Sequence, residues 1–137
     1  MEMIGAANAL DQQFMDAFNK GDVNAVMALY WNSPDLAFYP PDAMGLRGWT
    51  ASNAAMTGTF TSRPGAKLEI LESRNDVEGT VVLGSGRWKL TIPAATGPAA
   101  VVEGRYTDVK AQKDGRWVYL VDHASVPLPP GAGKGKQ

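Results

Sequence analysis

The hydrophobic period of this chain changes once, near residue 66, and that change limits the folds open to it. Before it, Met3, Ala7, Leu10, Phe14 and Phe18 (with Ala17) recur at three- and four-residue steps, which makes one apolar stripe on a helix. Gly21 is a natural left-handed stop, and Asp22 can cap a second helix carrying Val23, Val26, Met27 and Tyr30. Leu36 to Tyr39 reads as a short strand halted by Pro40-Pro41. A loop over Asp42 to Gly48 then leads to a third helix near Trp49 to Thr57. After the change, Lys67 to Asn75, Thr80 to Ile92, Val101 to Gln112 and Trp117 to Val126 read as strands. Helices first and long strands afterwards predict an α+β fold, with the helices packed on a strongly curved antiparallel sheet. An apolar pocket is expected between the two.

Composition narrows the class. The 137 residues suit one domain, expected over 1–127, and the Pro/Gly/Lys-rich 128–137 reads as a disordered tail. A net charge of −1 gives no basic face, so nucleic acid and anionic membranes are not expected partners. The chain has no Cys and one His, which excludes disulfides, thiolate nucleophiles and ordinary zinc sites, so no metal is expected. No glycine-rich phosphate loop is present and no cofactor is expected; Gly84-Ser85-Gly86 lies inside a strand. No stretch is apolar enough to span a membrane, and a cytoplasmic protein is the expectation.

The order of elements, with Phe14 to Tyr30, Asp35 to Gly48, Gly84 to Leu90 and Asp114 to Ser125 at this spacing, resembles the nuclear transport factor 2-like superfamily. Within it the chain is most similar to the SnoaL-like and SgcJ-like group. The resemblance covers roughly residues 3–127. It implies a cone-shaped half-barrel, usually a homodimer, with a pocket in the concave face. It does not imply one activity, because similar members include polyketide cyclases, ketosteroid isomerases, dehydratases, epoxide hydrolases and non-catalytic association domains. Function therefore has to be argued from the site.

Asp114-Gly115 is a strong two-residue hairpin signal. Counting outward from it pairs Gln112 with Trp117, Lys110 with Tyr119, Asp108 with Val121 and Tyr106 with His123. One face then carries Tyr106, Asp108, Trp117, Tyr119, Val121, His123 and Ser125. That face is aromatic and holds groups able to do chemistry, so it is expected to be concave. Gly84, Gly86 and Trp88 join it from the preceding strand, and Tyr39 from the first. The opposite face, with Val109, Val118, Leu120, Ala124 and Val126, is expected to form a homodimer contact. Arg87 and Arg105 belong to that outer face, as does Asp122. A slip of one residue would exchange the faces and make Asp122 the pocket carboxylate.

His123 is the candidate base or acid, Asp108 its orienting carboxylate, and Tyr106 a hydrogen-bond donor to a developing oxyanion. Trp88, Tyr119, Tyr39, Trp117 and Ser125 are expected to line the pocket around this catalytic set. Such a group suits enolisation, dehydration or aldol-type cyclisation of a small apolar carbonyl compound. The alternatives are a dimeric module that binds a small apolar molecule without turning it over, and a purely structural oligomerisation domain. A lone His is at least as often a satisfied core residue as a catalyst. Asp35 reads as a turn residue.

Overall fold

A computed structural model describes residues 2–131. Its order is α1 (Glu2–Asn19), α2 (Val23–Met27), β1 (Ala37–Tyr39), β2 (Leu46–Arg47), α3 (Trp49–Ser62), β3 (Lys67–Glu78), β4 (Val81–Ile92), β5 (Ala100–Lys113) and β6 (Arg116–Ser125). The expected stripe buries Ala7, Leu10 and Ala17 of α1. Gly21 adopts φ 72° and the chain closes the helix with Gly21 N–H to Phe18 O and Asp22 N–H to Ala17 O, 3.0 and 3.1 Å. Asp22 caps α2 by accepting from Ala25 N–H at 3.0 Å.

The strands form one open, curved sheet in the order β2-β1-β6-β5-β4-β3. It is mixed rather than wholly antiparallel, because β1 runs parallel to β6. The strand β2 lies inside the segment expected to be a loop, and α3 runs to Ser62, beyond the expected Thr57. Residues 128–131 of the expected tail carry no helix or strand, and 132–137 lie outside the described residues. None of the described helices is long and apolar enough to cross a membrane.

The core gathers Leu10, Val26, Met27, Tyr30, Leu36, Phe38, Met56 and Tyr119, where the helices meet β1 and β6. Asn19 ties the end of α1 to the sheet: its side chain donates to Leu68 O and accepts from Leu68 N–H, at 2.9 and 2.7 Å. That anchors one side of the space between helices and sheet.

The inward glycines serve the protein's own side chains. A Cβ on Gly84 would collide with the Asp108 carboxylate and the Lys110 ammonium. One on Gly86 would strike the backbone oxygen of Glu72 and the Tyr106 ring. The Glu72 carbonyl belongs to the sheet and cannot rotate away. Gly86→Ala is therefore expected to lower the unfolding free energy by about 2–3 kcal/mol, measured by urea denaturation. An unchanged urea midpoint would mean that β3 yields at this point.

Candidate active site

Hairpin register decides which side chains enter the site. Asp114 (φ 52°) and Gly115 (φ 79°) form the turn, and Gln112↔Trp117 and Lys110↔Tyr119 pair as expected. Then the count shifts. Val109 pairs with Val121, leaving Leu120 as an extra residue on β6. This β-bulge moves every later β6 residue to the other face. Asp108 now stands opposite Asp122, Tyr106 opposite Ala124, and Thr107 opposite His123.

The consequences correct the sequence reading. Asp122 borders the cavity, as do Ala124 and Val126. His123 is exposed on the outer face, outside the cavity lining, with its ring against Tyr39 at 5.7 Å between centroids. Ser125 is also turned outward, where its hydroxyl accepts from Arg105 Nε at 2.8 Å. Trp117, on the near side of the bulge, packs beside the core and does not line the cavity. Tyr106, Asp108, Tyr119, Trp88 and Tyr39 do line it. Arg87 stays on the outer face, paired with Glu72 at 2.9 Å within the same chain.

The cavity holds about 610 Å³ between the helices and the concave sheet face. It runs along the strands. At one end lie Asp11, Asp108 and Asp122; at the other lie Leu68, Ile92, Val102 and Val126, with Phe14, Phe18 and Met56 of the helices as the apolar roof. Asp108 and Val102 are six steps apart along β5, about 20 Å at the usual strand rise.

The polar end is a connected network. Lys110 has no exposed surface; its Nζ donates to Asn75 Oδ1 at 2.6 Å and Asp108 Oδ1 at 2.7 Å, and lies 3.3 Å from Asp11 Oδ1. Asp11 accepts from Tyr119 Oη at 2.7 Å and from Asn75 Nδ2 at 3.0 Å. Tyr30 Oη donates to Asp122 Oδ2 at 2.5 Å. Two carboxylates, Asp108 and Asp11, thus share one ammonium, and a third, Asp122, is held by a phenol.

Burial shapes their titration. Loss of hydration pushes Asp108 up to about 7, against the opposing pull of Lys110, and Asp122 adds to the rise. Burial also raises Asp122, with the Tyr30 hydrogen bond and Lys110 acting against it. Tyr30 and Tyr119 are held well above the usual phenol value by burial, then by Asp122 and Asp11 respectively. Tyr106 is pushed up to about 12, chiefly by burial, so it remains a hydrogen-bond donor.

Two directly opposed carboxylates beside an apolar space are costly for stability alone, because like charges across a strand pair repel. Different neighbours, an ammonium for one and a phenol for the other, are how two similar acids acquire different proton affinities. The arrangement can hold a proton on one carboxyl while the other remains a base.

Asp11, Tyr30 and Lys110 are functional candidates that the sequence reading passed over. Asp11 sits between Leu10 and Phe14 in the apolar stripe, and its cavity-side neighbours Phe14, Met15 and Phe18 follow at helical spacing. A carboxylate in such a stripe is the signal that could have found it. Lys110 shares the parity of Asp108 on β5.

Comparisons with known proteins agree with this architecture. The SnoaL-like domain model matches residues 12–120. Among solved structures, a candidate dehydratase of the NTF2-like family from Streptomyces avermitilis superposes with a TM-score of 0.81 at 15% identity, covering 93% of this chain and 98% of that one. A cystatin-like-fold protein from Caulobacter vibrioides gives 0.79 at 19%, with coverage of 98% and 96%. An NTF2-like superfamily protein from Salmonella enterica serovar Typhimurium gives 0.78 at 21%, with coverage of 93% and 92%. At these identities the likeness shows the fold. No curated protein matches the sequence significantly. With the family model spanning most of the chain and the NTF2-like fold around it, this protein belongs to the SnoaL-like domain family.

Proposed function

We propose that this protein performs acid–base chemistry on a small apolar carbonyl compound, as an isomerase, cyclase or dehydratase. The observation that carries the reading is the cross-strand pair Asp108 and Asp122, both on the cavity and both raised in pKa by burial. Asp122, oriented by Tyr30, takes the proton from the carbon next to the carbonyl. The carbonyl π electrons move to oxygen, which receives a hydrogen bond from protonated Asp108 and from Tyr106. Return of the proton to a different carbon isomerises the substrate; loss of a hydroxyl that takes the Asp108 proton releases water. The similarity in fold to a candidate dehydratase supports this reaction class without naming a substrate.

The test is α-proton exchange of 2-tetralone in D2O, followed by NMR. Exchange should exceed the buffer rate and fall as pH rises through about 7, where Asp108 gives up its proton. Saturable binding of the ketone with no acceleration would favour the second reading, a ligand-binding module. That alternative draws on the apolar walls, which would hold such a molecule without chemistry.

The working unit on this reading is a homodimer joined by the outer sheet face. Leu83, Val109 and Val121 form one apolar row across β4, β5 and β6, with Leu83 exposed. Ala124 and Val126, expected to take part, line the cavity instead. Sedimentation equilibrium at micromolar concentration should give twice the chain mass, and Leu83→Glu should return it to the monomer with its helices intact. A monomer for the unmodified protein removes the proposal.

A further inference from the structure

The cavity has a second polar feature, at the end away from the carboxylates. Arg63, just after α3, is the one basic side chain among the described residues lining the cavity; Asp11, Asp42, Asp108 and Asp122 are the acidic ones. It is half-buried, and its Nη2 lies 3.1 Å from the carboxylate of Asp42, which sits in the loop after β1. Beyond it a side pocket of about 270 Å³ shares Phe18, Thr59, Arg63 and Leu90 with the main cavity. Among its lining residues are Lys20, Arg63 and Lys67, and no acidic side chain. Lys67 is committed to the end of α1, donating to Asn19 O at 2.6 Å.

We propose that Arg63, with the side pocket behind it, binds a carboxylate at the far end of the substrate. The inference rests on the reading of the cavity as a carbonyl-compound site and names the class within it: an elongated apolar molecule with a carbonyl at one end and a carboxylate at the other. Three observations support it. First, about 20 Å of strand separates Asp108 from the Arg63 end, more than a single-ring ketone would span. Second, the intervening walls are mostly apolar (Phe14, Phe18, Ile70 and Trp88), so a ligand must be apolar along its middle. Third, Arg63 holds Asp42 in a partly exposed pair. Such pairs contribute only about 0–1 kcal/mol, so a substrate carboxylate can displace Asp42. Guanidinium geometry suits two parallel hydrogen bonds to a carboxylate. The carboxylates at the opposite end repel the same group and fix the direction of binding.

The experiment is calorimetric titration of the whole protein with decanoate, methyl decanoate and decylamine at mildly alkaline pH. Decanoate should bind about tenfold more tightly than its methyl ester. Arg63→Gln should erase that preference and leave the ester affinity unchanged, which also shows that the variant is folded. Asp42→Asn, which removes the internal competitor, should strengthen decanoate binding by a few fold. Equal affinity for decanoate and ester, or a preference that survives Arg63→Gln, overturns the assignment of Arg63 while leaving the cavity reading intact. Tighter binding of decylamine than of decanoate overturns it as well. Failure of all three probes to bind overturns the assignment of Arg63, while the reading of the cavity as a carbonyl-compound site is decided separately by 2-tetralone exchange.

Discussion

Asp122→Asn is expected to slow α-proton exchange of 2-tetralone by a factor on the order of 10²–10⁴, the range for loss of a positioned general base. The carboxamide keeps the shape of the side chain, and its oxygen can still accept from Tyr30, so the fold should be retained. It cannot take a proton. Tyr30→Phe should act differently. The Tyr30 hydrogen bond lowers the proton affinity of Asp122 against the effect of burial. Without it the base holds its proton to higher pH, and the rising limb of the pH–rate profile should move upward. His123→Ala, on the exposed face, should change the rate by less than about twofold. A His123→Ala loss larger than that of Asp122→Asn would overturn the assignment of the base.

The contrast between those two residues shows where sequence reading succeeds and where it stops. The helix stripe, the Gly21 stop, the Asp114-Gly115 turn and the four long strands each carry a local signal, and the fold follows from their order. The turn also fixes the hairpin register as far as Lys110↔Tyr119. The extra residue then falls within Val118-Tyr119-Leu120-Val121, four apolar residues in succession. Period two has no contrast there, so nothing in the chain marks which residue is unpaired. What accompanies the bulge is remote in sequence. Tyr119 N–H donates to Leu29 O, and Tyr119 O accepts from Trp31 N–H, both at 3.0 Å, on the edge of β6 away from β5. Two residues farther on, at Val121, β1 takes over that edge in parallel. Reading from the hairpin alone therefore chose Tyr106 and Asp108 correctly as cavity residues and exchanged Asp122 for His123. Lys110 was passed over for a different reason: a lysine on an inward position is read as an edge or mouth residue unless its acidic partners are known. One of them, Asp11, comes from a helix nearly a hundred residues earlier.

Lys110→Met should be the most destabilising of these substitutions, by about 3–5 kcal/mol above neutral pH. Methionine fills similar volume, so the loss is electrostatic rather than a cavity. Lys110 is fully buried and holds Asp108, Asp11 and Asn75 together. Without it, buried carboxylates have no cation. The pH dependence carries the diagnosis. In the unmodified protein Asp108 binds its proton more tightly folded than unfolded, with a folded value of about 7 against an unfolded value near ~3.9. Its contribution to stability is therefore fully present below about pH 4 and is lost as pH rises to about 7, by on the order of 4 kcal/mol. Lys110 pulls that proton affinity down. Removing it moves the folded value above 7, so in Lys110→Met the decline continues into alkaline pH. The difference between the two proteins should thus be small in acid and grow through neutrality. Asp108→Asn should remove its share of the slope and, at alkaline pH, recover part of the Lys110→Met loss when the two are combined. Urea denaturation from acid to mildly alkaline pH measures all four proteins of this cycle. A Lys110→Met cost that is the same at every pH would show that Asp108 is not its energetic partner.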